Sequence, residues 1–137
     1  MSTTTRPELS KENPYYISRH RYYELRHYCC QYPEWKKRLA SLSYFPQVST
    51  TPGSTAKEWQ DRTSEIAYEQ SKWSKHIRLV ENAAKETDRE LWEHILRCVT
   101  MGGSYDTLNA KDPLPFSREK YYELFRRFLY ILDKWRD

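Results

Sequence analysis

From Ser18 onward, apolar residues recur at Tyr22, Leu25, Cys29, Tyr32, Trp35, Leu39 and Leu42, spaced alternately by three and four positions. That spacing places all seven on one face of a helix. Pro33 interrupts the stripe, because proline cannot donate to the preceding turn and pushes Tyr32 away from the α region. The pattern therefore predicts a kink or two abutting helices, over 18–31 and 33–42. Residues 1–14 are polar and without period, which reads as a flexible arm ending at Pro14. Residues 45–55 contain two Pro, one Gly and a Ser/Thr cluster, the composition of a loop.

A second long helix is expected to start between Thr55 and Ser64 and to run to about Lys85. Ile66, Trp73, Ile77, Val80 and Ala84 lie on one side of it, with Gln70 on the same stripe. Thr87, followed three residues later by Glu90, has the form of a capping box ahead of Leu91, Trp92, Ile95, Leu96 and Val99. A third helix over 88–100 follows from it. Gly102 and Gly103 stop that helix, since a glycine beyond the last periodic residue adopts the left-handed cap conformation at no steric cost. Ser104 can cap a short helix over 105–110, and residues 111–116, with two prolines, form a turn. Ser117 then caps a last helix whose inward stripe is Tyr121, Leu124, Phe125, Phe128, Leu132 and Trp135. The expectation is an all-α fold: a single-domain helical bundle of about five helices over 15–137, in which 88–137 form a helix-turn-helix module.

Composition sharpens this picture. Hydrophobic residues are 38%, charged residues 31% and the mean hydropathy is −1.00. Those values approach the disordered range, but 15% of the chain is aromatic, with five Trp and twelve Tyr to supply apolar area for a core. Three Gly and seven Pro are too few for the many turns of an all-β fold. No apolar run is long enough to span a membrane and the first residues do not form a signal peptide, so a cytoplasmic location in a bacterial host cell is expected. Three cysteines, two of them adjacent (Cys29 and Cys30), do not make a disulfide framework.

The net charge of +4 is too mild to indicate nucleic-acid binding by itself. Its distribution adds more. Residues 1–42 carry eight basic and four acidic side chains and residues 117–137 six and four, whereas residues 85–116 carry four and six. The two ends are basic and the middle is not.

In the last third, a helix, a Gly-Gly turn, a short helix, a proline-containing turn and a capped longer helix follow the order of a helix-turn-helix. Gly102, Ser104, Tyr105 and Leu108, then Ser117, Arg118, Tyr121, Tyr122, Arg126 and Arg127, resemble the end of small phage and prophage transcriptional regulators of the ArpU and RinA type. The terminal module of that family is similar to the region-four helix-turn-helix of sigma factors. The segments RHRYYELRHYCCQYPEWKKRLASL and DRTSEIAYEQSKWSKHIRLVENAAKE also resemble phage proteins. The chain departs from the family in its Asp112-Pro113-Leu114-Pro115 turn, which is longer and stiffer than usual. The resemblance implies sequence-specific DNA binding by a regulator of late genes. Double-stranded DNA, the host transcription machinery and a second copy of the chain are the partners considered.

The DNA-binding residues expected on this reading are Ser117, Arg118, Glu119, Lys120, Tyr122, Arg126 and Arg127. Arg118 and Arg126 can read guanine O6 and N7 or grip phosphates; Arg127 lies on the other flank, nearer backbone or water. A second basic set, Arg19, Arg21, Arg26, Lys36, Lys37 and Arg38, is interleaved with Tyr15, Tyr16, Tyr22, Tyr23 and Tyr28. Those tyrosines can stack bases, but the plainer reading makes them core and the cations the wet side of an amphipathic helix. An alternative function is a non-catalytic protein-interaction, host-inhibitory or structural role through the aromatic first-helix face.

Catalytic chemistry finds little support. His94 and Cys98 have a metal-ligand spacing, and His20, His27, Cys29 and Cys30 are further candidates, yet no C-x-x-C or H-x-x-x-H pair exists. Cys98 beside Ile95 and Val99 reads as a buried small hydrophobe. Neither a phosphate-binding glycine loop nor a paired acidic motif is present. No enzyme, cofactor or metal is expected.

Overall fold

The first stripe folds as its spacing requires and breaks beside Pro33. In a computed structural model, which describes residues 14–43 and 56–136, α1 (Arg19–Cys30) opens on Ser18, whose hydroxyl accepts from the Arg21 N–H at 3.3 Å. Gln31 ends α1, and α2 (Tyr32–Ser43) follows at once. Pro33 thereby stands in the first turn of α2, where its missing N–H would have had no intrahelical partner. Tyr32 joins this second helix instead of leaving it.

Four further helices complete the described residues: α3 (Ala56–Thr87), α4 (Trp92–Met101), α5 (Tyr105–Lys111) and α6 (Arg118–Trp135). There are six helices and no strand among the described residues, or five if α1 and α2 are counted as one helix bent at Gln31. The fold is an all-α bundle. The arm expected over 1–14, apart from Pro14, and the loop expected over 45–55 lie outside the described residues.

Two expectations are corrected. Thr87 is not the cap of α4: it is the last residue of α3, 2% exposed, and its hydroxyl donates to the Ala83 carbonyl at 2.7 Å. α4 starts only at Trp92, with Leu91 at its N-cap and no side-chain cap; Asp88 instead holds the turn before it, its Oδ1 accepting from the N–H groups of Glu90 and Leu91 at 2.9 and 3.0 Å. Burial against the bundle keeps Thr87 in the preceding helix, and the next acceptor along the chain takes the amides of the turn that follows. The second correction concerns Trp135, which is 45% exposed because α6 ends there. Its place in the core is taken by Leu129, at 1% exposure.

Aromatic area builds the centre. Tyr22, Leu25, Tyr28, Cys29, Tyr32 and Trp35 of the first stripe are all buried, while Leu39 is only partly so. α1 packs against α4 and α6, α2 against α3, and α3 against α4 and α6. Trp35 stacks on His76 of α3 with ring centres 5.0 Å apart, and Tyr28 donates to or accepts from His76 Nδ1 at 2.8 Å. Phe128 of α6, fully buried, lies in the same core as Val80, Ala83 and Ala84, whose small side chains admit close helix approach. Most of the stripe proposed as an interaction face is therefore occupied within the domain.

Arg21 fastens the start of the bundle to its end. Its guanidinium donates to Asp133 Oδ1 at 2.6 Å and to the carbonyls of Asp133 and Arg136. The last carbonyls of a helix lack intrahelical donors and carry partial negative charge, so a cation there satisfies both. The Asp133 contact holds the Arg21 pKa above its ordinary value, against the opposing cost of burial. No helix among the described residues is long and apolar enough to cross a membrane.

Candidate nucleic-acid interface

Gly102 and Gly103 have φ of 72° and 99°, a region that L side chains rarely adopt, and this ends α4 and lets the chain turn into α5. Ser104 then caps α5 by accepting from the Thr107 N–H at 3.3 Å. The proline-containing turn is held at three points. Leu114 is buried and its N–H donates to Asn109 Oδ1 at 2.8 Å, Tyr105 donates its hydroxyl to the Phe116 carbonyl at 2.8 Å, and Arg97 pairs with Asp112 at 3.0 Å. These contacts set α6 against α5 despite the length of the turn. Ser117 caps α6 as its position predicts, accepting from the Lys120 N–H at 3.3 Å.

The expected site residues divide by location. Ser117, Arg118 and Glu119 are exposed together at the helix start, with Lys120 half-buried beside them. Tyr122 and Arg126 continue the Arg118 flank and are half-buried; Arg127 is exposed and turned about one residue step round the helix from Arg126. Arg126 and Arg127 make no ion pair among the described residues.

Arg118 is held, not loose. One of its terminal nitrogens donates to Asp106 Oδ1 of α5 at 2.6 Å, and its guanidinium carbon lies 5.7 Å from the centre of the Tyr105 ring. The Asp106 hydrogen bond raises its pKa further above a value at which it is already charged. A guanidinium has five N–H donors, so a single partner leaves most of them for another acceptor. Side-chain exposures of 56% for Arg118 and 64% for Asp106 leave the pair accessible and solvent-screened. Lys120 lies 3.8 Å from Glu123, and Glu119 is also exposed at this end. Cations and carboxylates thus alternate around the start of α6.

The structure adds Arg26 to this surface, where the sequence had placed it with a separate basic set on the first helix. Arg26 donates to the Tyr22 hydroxyl at 3.3 Å and lies 5.9 Å from the centre of the Phe125 ring. Together with Tyr121, Tyr122 and the Gly103-Ser104 turn, these residues border a groove of about 280 Å³. The Tyr22 and Arg26 spacing of four was visible in the sequence, but its approach to α6 depends on tertiary packing. Asp106 was missed in the same way.

The other candidates for chemistry separate. Cys29 and Cys98 are buried and Cys30 is exposed. Burial pushes the Cys98 thiol up to about 11 and the Cys29 thiol higher still, away from the reactive thiolate form. His94 packs edge-on to Phe116 with ring centres 6.4 Å apart. Among the described residues, no group of three or more His, Cys, Asp or Glu side chains is placed to hold a metal ion. Set against family models, curated proteins and solved structures, the chain finds no match in any of the three.

Proposed function

We propose that the chain binds double-stranded DNA through α5 and α6 and acts as a transcriptional regulator of the phage type that its last third resembles. The observation that carries this reading is Arg118, exposed in the first turn of a serine-capped helix and tied to the short helix before it by one carboxylate. The start of a helix favours anions through its free N–H groups and its dipole. A phosphate or a guanine edge can take the unused guanidinium donors, or replace Asp106 altogether. Tyr122, Arg126 and Arg26 extend the same flank as supporting contacts, and Arg127 and Lys120 contribute to the field around it.

Fluorescence anisotropy with duplexes from the region of its own gene, titrated across salt concentrations, tests the reading. The expected result is tight, salt-dependent binding to one segment, weakened about tenfold or more by Arg118→Ala while circular dichroism is unchanged. Asp106→Asn, which releases Arg118 and removes a repelling charge, should tighten binding. A folded Arg118/Tyr122/Arg126 triple alanine variant with undiminished affinity would remove the basis for the proposal. The mixed charge of Asp106, Glu119 and Glu123 among Arg118 and Lys120 favours a second reading, in which this end docks on a protein of the host transcription machinery. Absence of DNA binding by the folded chain at low salt would leave that reading in place.

A further inference from the structure

Among the described residues, the first half of α3 is covered on one side only. Trp59, Ile66 and Gln70 are half-buried, whereas every other residue from 56 to 72 is exposed. On the side opposite Ile77 and Val80 stands Tyr68, 71% exposed, the most exposed large hydrophobic residue among those described. Asp61, Glu65, Tyr68, Lys72 and Lys75 follow one another at intervals of four and three, and all five are exposed. An alternation of four and three keeps the five on one face of the helix, a seam in the register along which two helices can meet. Acidic residues occupy one end of this seam, basic residues the other, and the tyrosine its midpoint.

We infer that this seam pairs antiparallel with the same seam of a second copy of the chain, about a two-fold axis through Tyr68. Asp61 and Lys75 are each seven residues from Tyr68, so the axis sets Asp61 of one copy against Lys75 of the other, twice. Glu65 and Lys72, three and four residues from the axis, come within one residue of register of each other across it, again twice. The two tyrosine rings face each other at the centre. A parallel arrangement would instead set Asp61 against Asp61 and Lys75 against Lys75, which charge repulsion opposes.

The separation of charge extends along the helix. Residues 56–69 carry Glu58, Asp61, Glu65 and Glu69 against two basic residues, and residues 70–87 carry Lys72, Lys75, Arg78 and Lys85 against two acidic ones. The helix dipole does not account for the placement of Glu65 and Lys72, because its influence falls off within the first and last turns and these two lie in the middle. Asp61, Glu65 and Lys75 make no ion pair among the described residues; Lys72 rests 4.8 Å from the ring centre of Trp73. A contact between two helices of this length is small, so the dimer is weak and sensitive to salt.

Sedimentation equilibrium of the full chain at low salt, from micromolar to millimolar concentration, should show a reversible monomer–dimer equilibrium that added salt shifts toward monomer. The variants Asp61→Lys/Glu65→Lys and Lys72→Glu/Lys75→Glu, checked by circular dichroism, should each be monomeric alone and form a heterodimer when mixed. As a readout that keeps the native charges, Tyr68→Cys in a Cys30→Ser background should cross-link to itself on mild oxidation, because this position opposes its own copy. Wild-type chain that stays monomeric throughout, a charge variant that dimerises as the wild type does, or a mixture that stays monomeric overturns the inference. So does a Tyr68→Cys chain that fails to cross-link at concentrations where the wild type dimerises.

Discussion

Arg21 and His76 show how single side chains in this protein answer to distant parts of the sequence. Arg21 sits on the first helix, yet all but one of its side-chain hydrogen bonds among the described residues reach the end of the last. Charged hydrogen bonds of this kind are worth more than neutral ones, and the planar fork of arginine is what reaches a carboxylate and two carbonyls together. Arg21→Ala should therefore cost about 1–3 kcal/mol in urea unfolding, with Arg21→Lys recovering only part of it. Equal stability of wild type and alanine variant would show that the cluster contributes nothing net. His76 is the pH-sensitive counterpart. Burial first, then the charges of Arg136, Lys72 and Lys75, hold its pKa below the ordinary 6.5. The unfolded chain thus takes up the proton more readily, and the native contribution is intact above about pH 6.5 and declines as the pH falls through that value toward the folded pKa. Melting temperature should drop on acidification from pH 7.5 to 5, and His76→Gln should flatten that part of the profile. A variant profile parallel to the wild type would assign the acid sensitivity elsewhere.

At the scale of the element, the helices were legible because burial follows the 3.6-residue period so closely. The first stripe, the Ser104 and Ser117 caps and the Gly102-Gly103 stop all stand where the pattern put them. What the local pattern does not contain is which of two adjacent residues a neighbouring helix will bury. Thr87 satisfied the capping-box spacing, but packing draws its side chain inward and leaves Asp88 to accept from the turn that precedes α4. The two substitutions should separate accordingly. Asp88→Ala, which frees two turn amides, should cost about 1 kcal/mol, and Thr87→Val, which keeps the buried volume and loses one hydroxyl bond, should cost no more than that. The reverse order in thermal or chemical unfolding would restore Thr87 as the cap. The candidate site was legible to the same degree. Arg118 and Ser117 could be placed on a helix start from sequence, whereas Asp106 and Arg26 come to them only through the packing of α5 and α1 on α6.

At the scale of the whole molecule, the unequal burial along α3 should divide its dynamics. The helix is 32 residues long, which corresponds to about 48 Å, and the two halves have different surroundings. From Ile77 to Thr87 its inward residues Ile77, Val80, Ala83, Ala84 and Thr87 are buried in the core shared with α6, and opening this half requires breaking that core. From 56 to 72 the helix has only Trp59, Ile66 and Gln70 half-covered. An isolated helical stretch of such length is marginal in water, because propagation gains little per residue and most helical stability comes from tertiary packing. Amide exchange reports the free energy of each opening, so protection should rise along α3 in the direction of the chain, lowest over 56–65 and near the global value over 77–87. The measurement belongs in dilute protein, where association does not add protection. Trp35→Ala, which removes a side chain 2% exposed at the joint of α2 and α3, should cost about 3–5 kcal/mol and lower the protection of both halves. Uniform protection from 56 to 87 in the dilute wild-type chain would mean that α3 opens only as one unit with the core, contrary to what its one-sided packing implies.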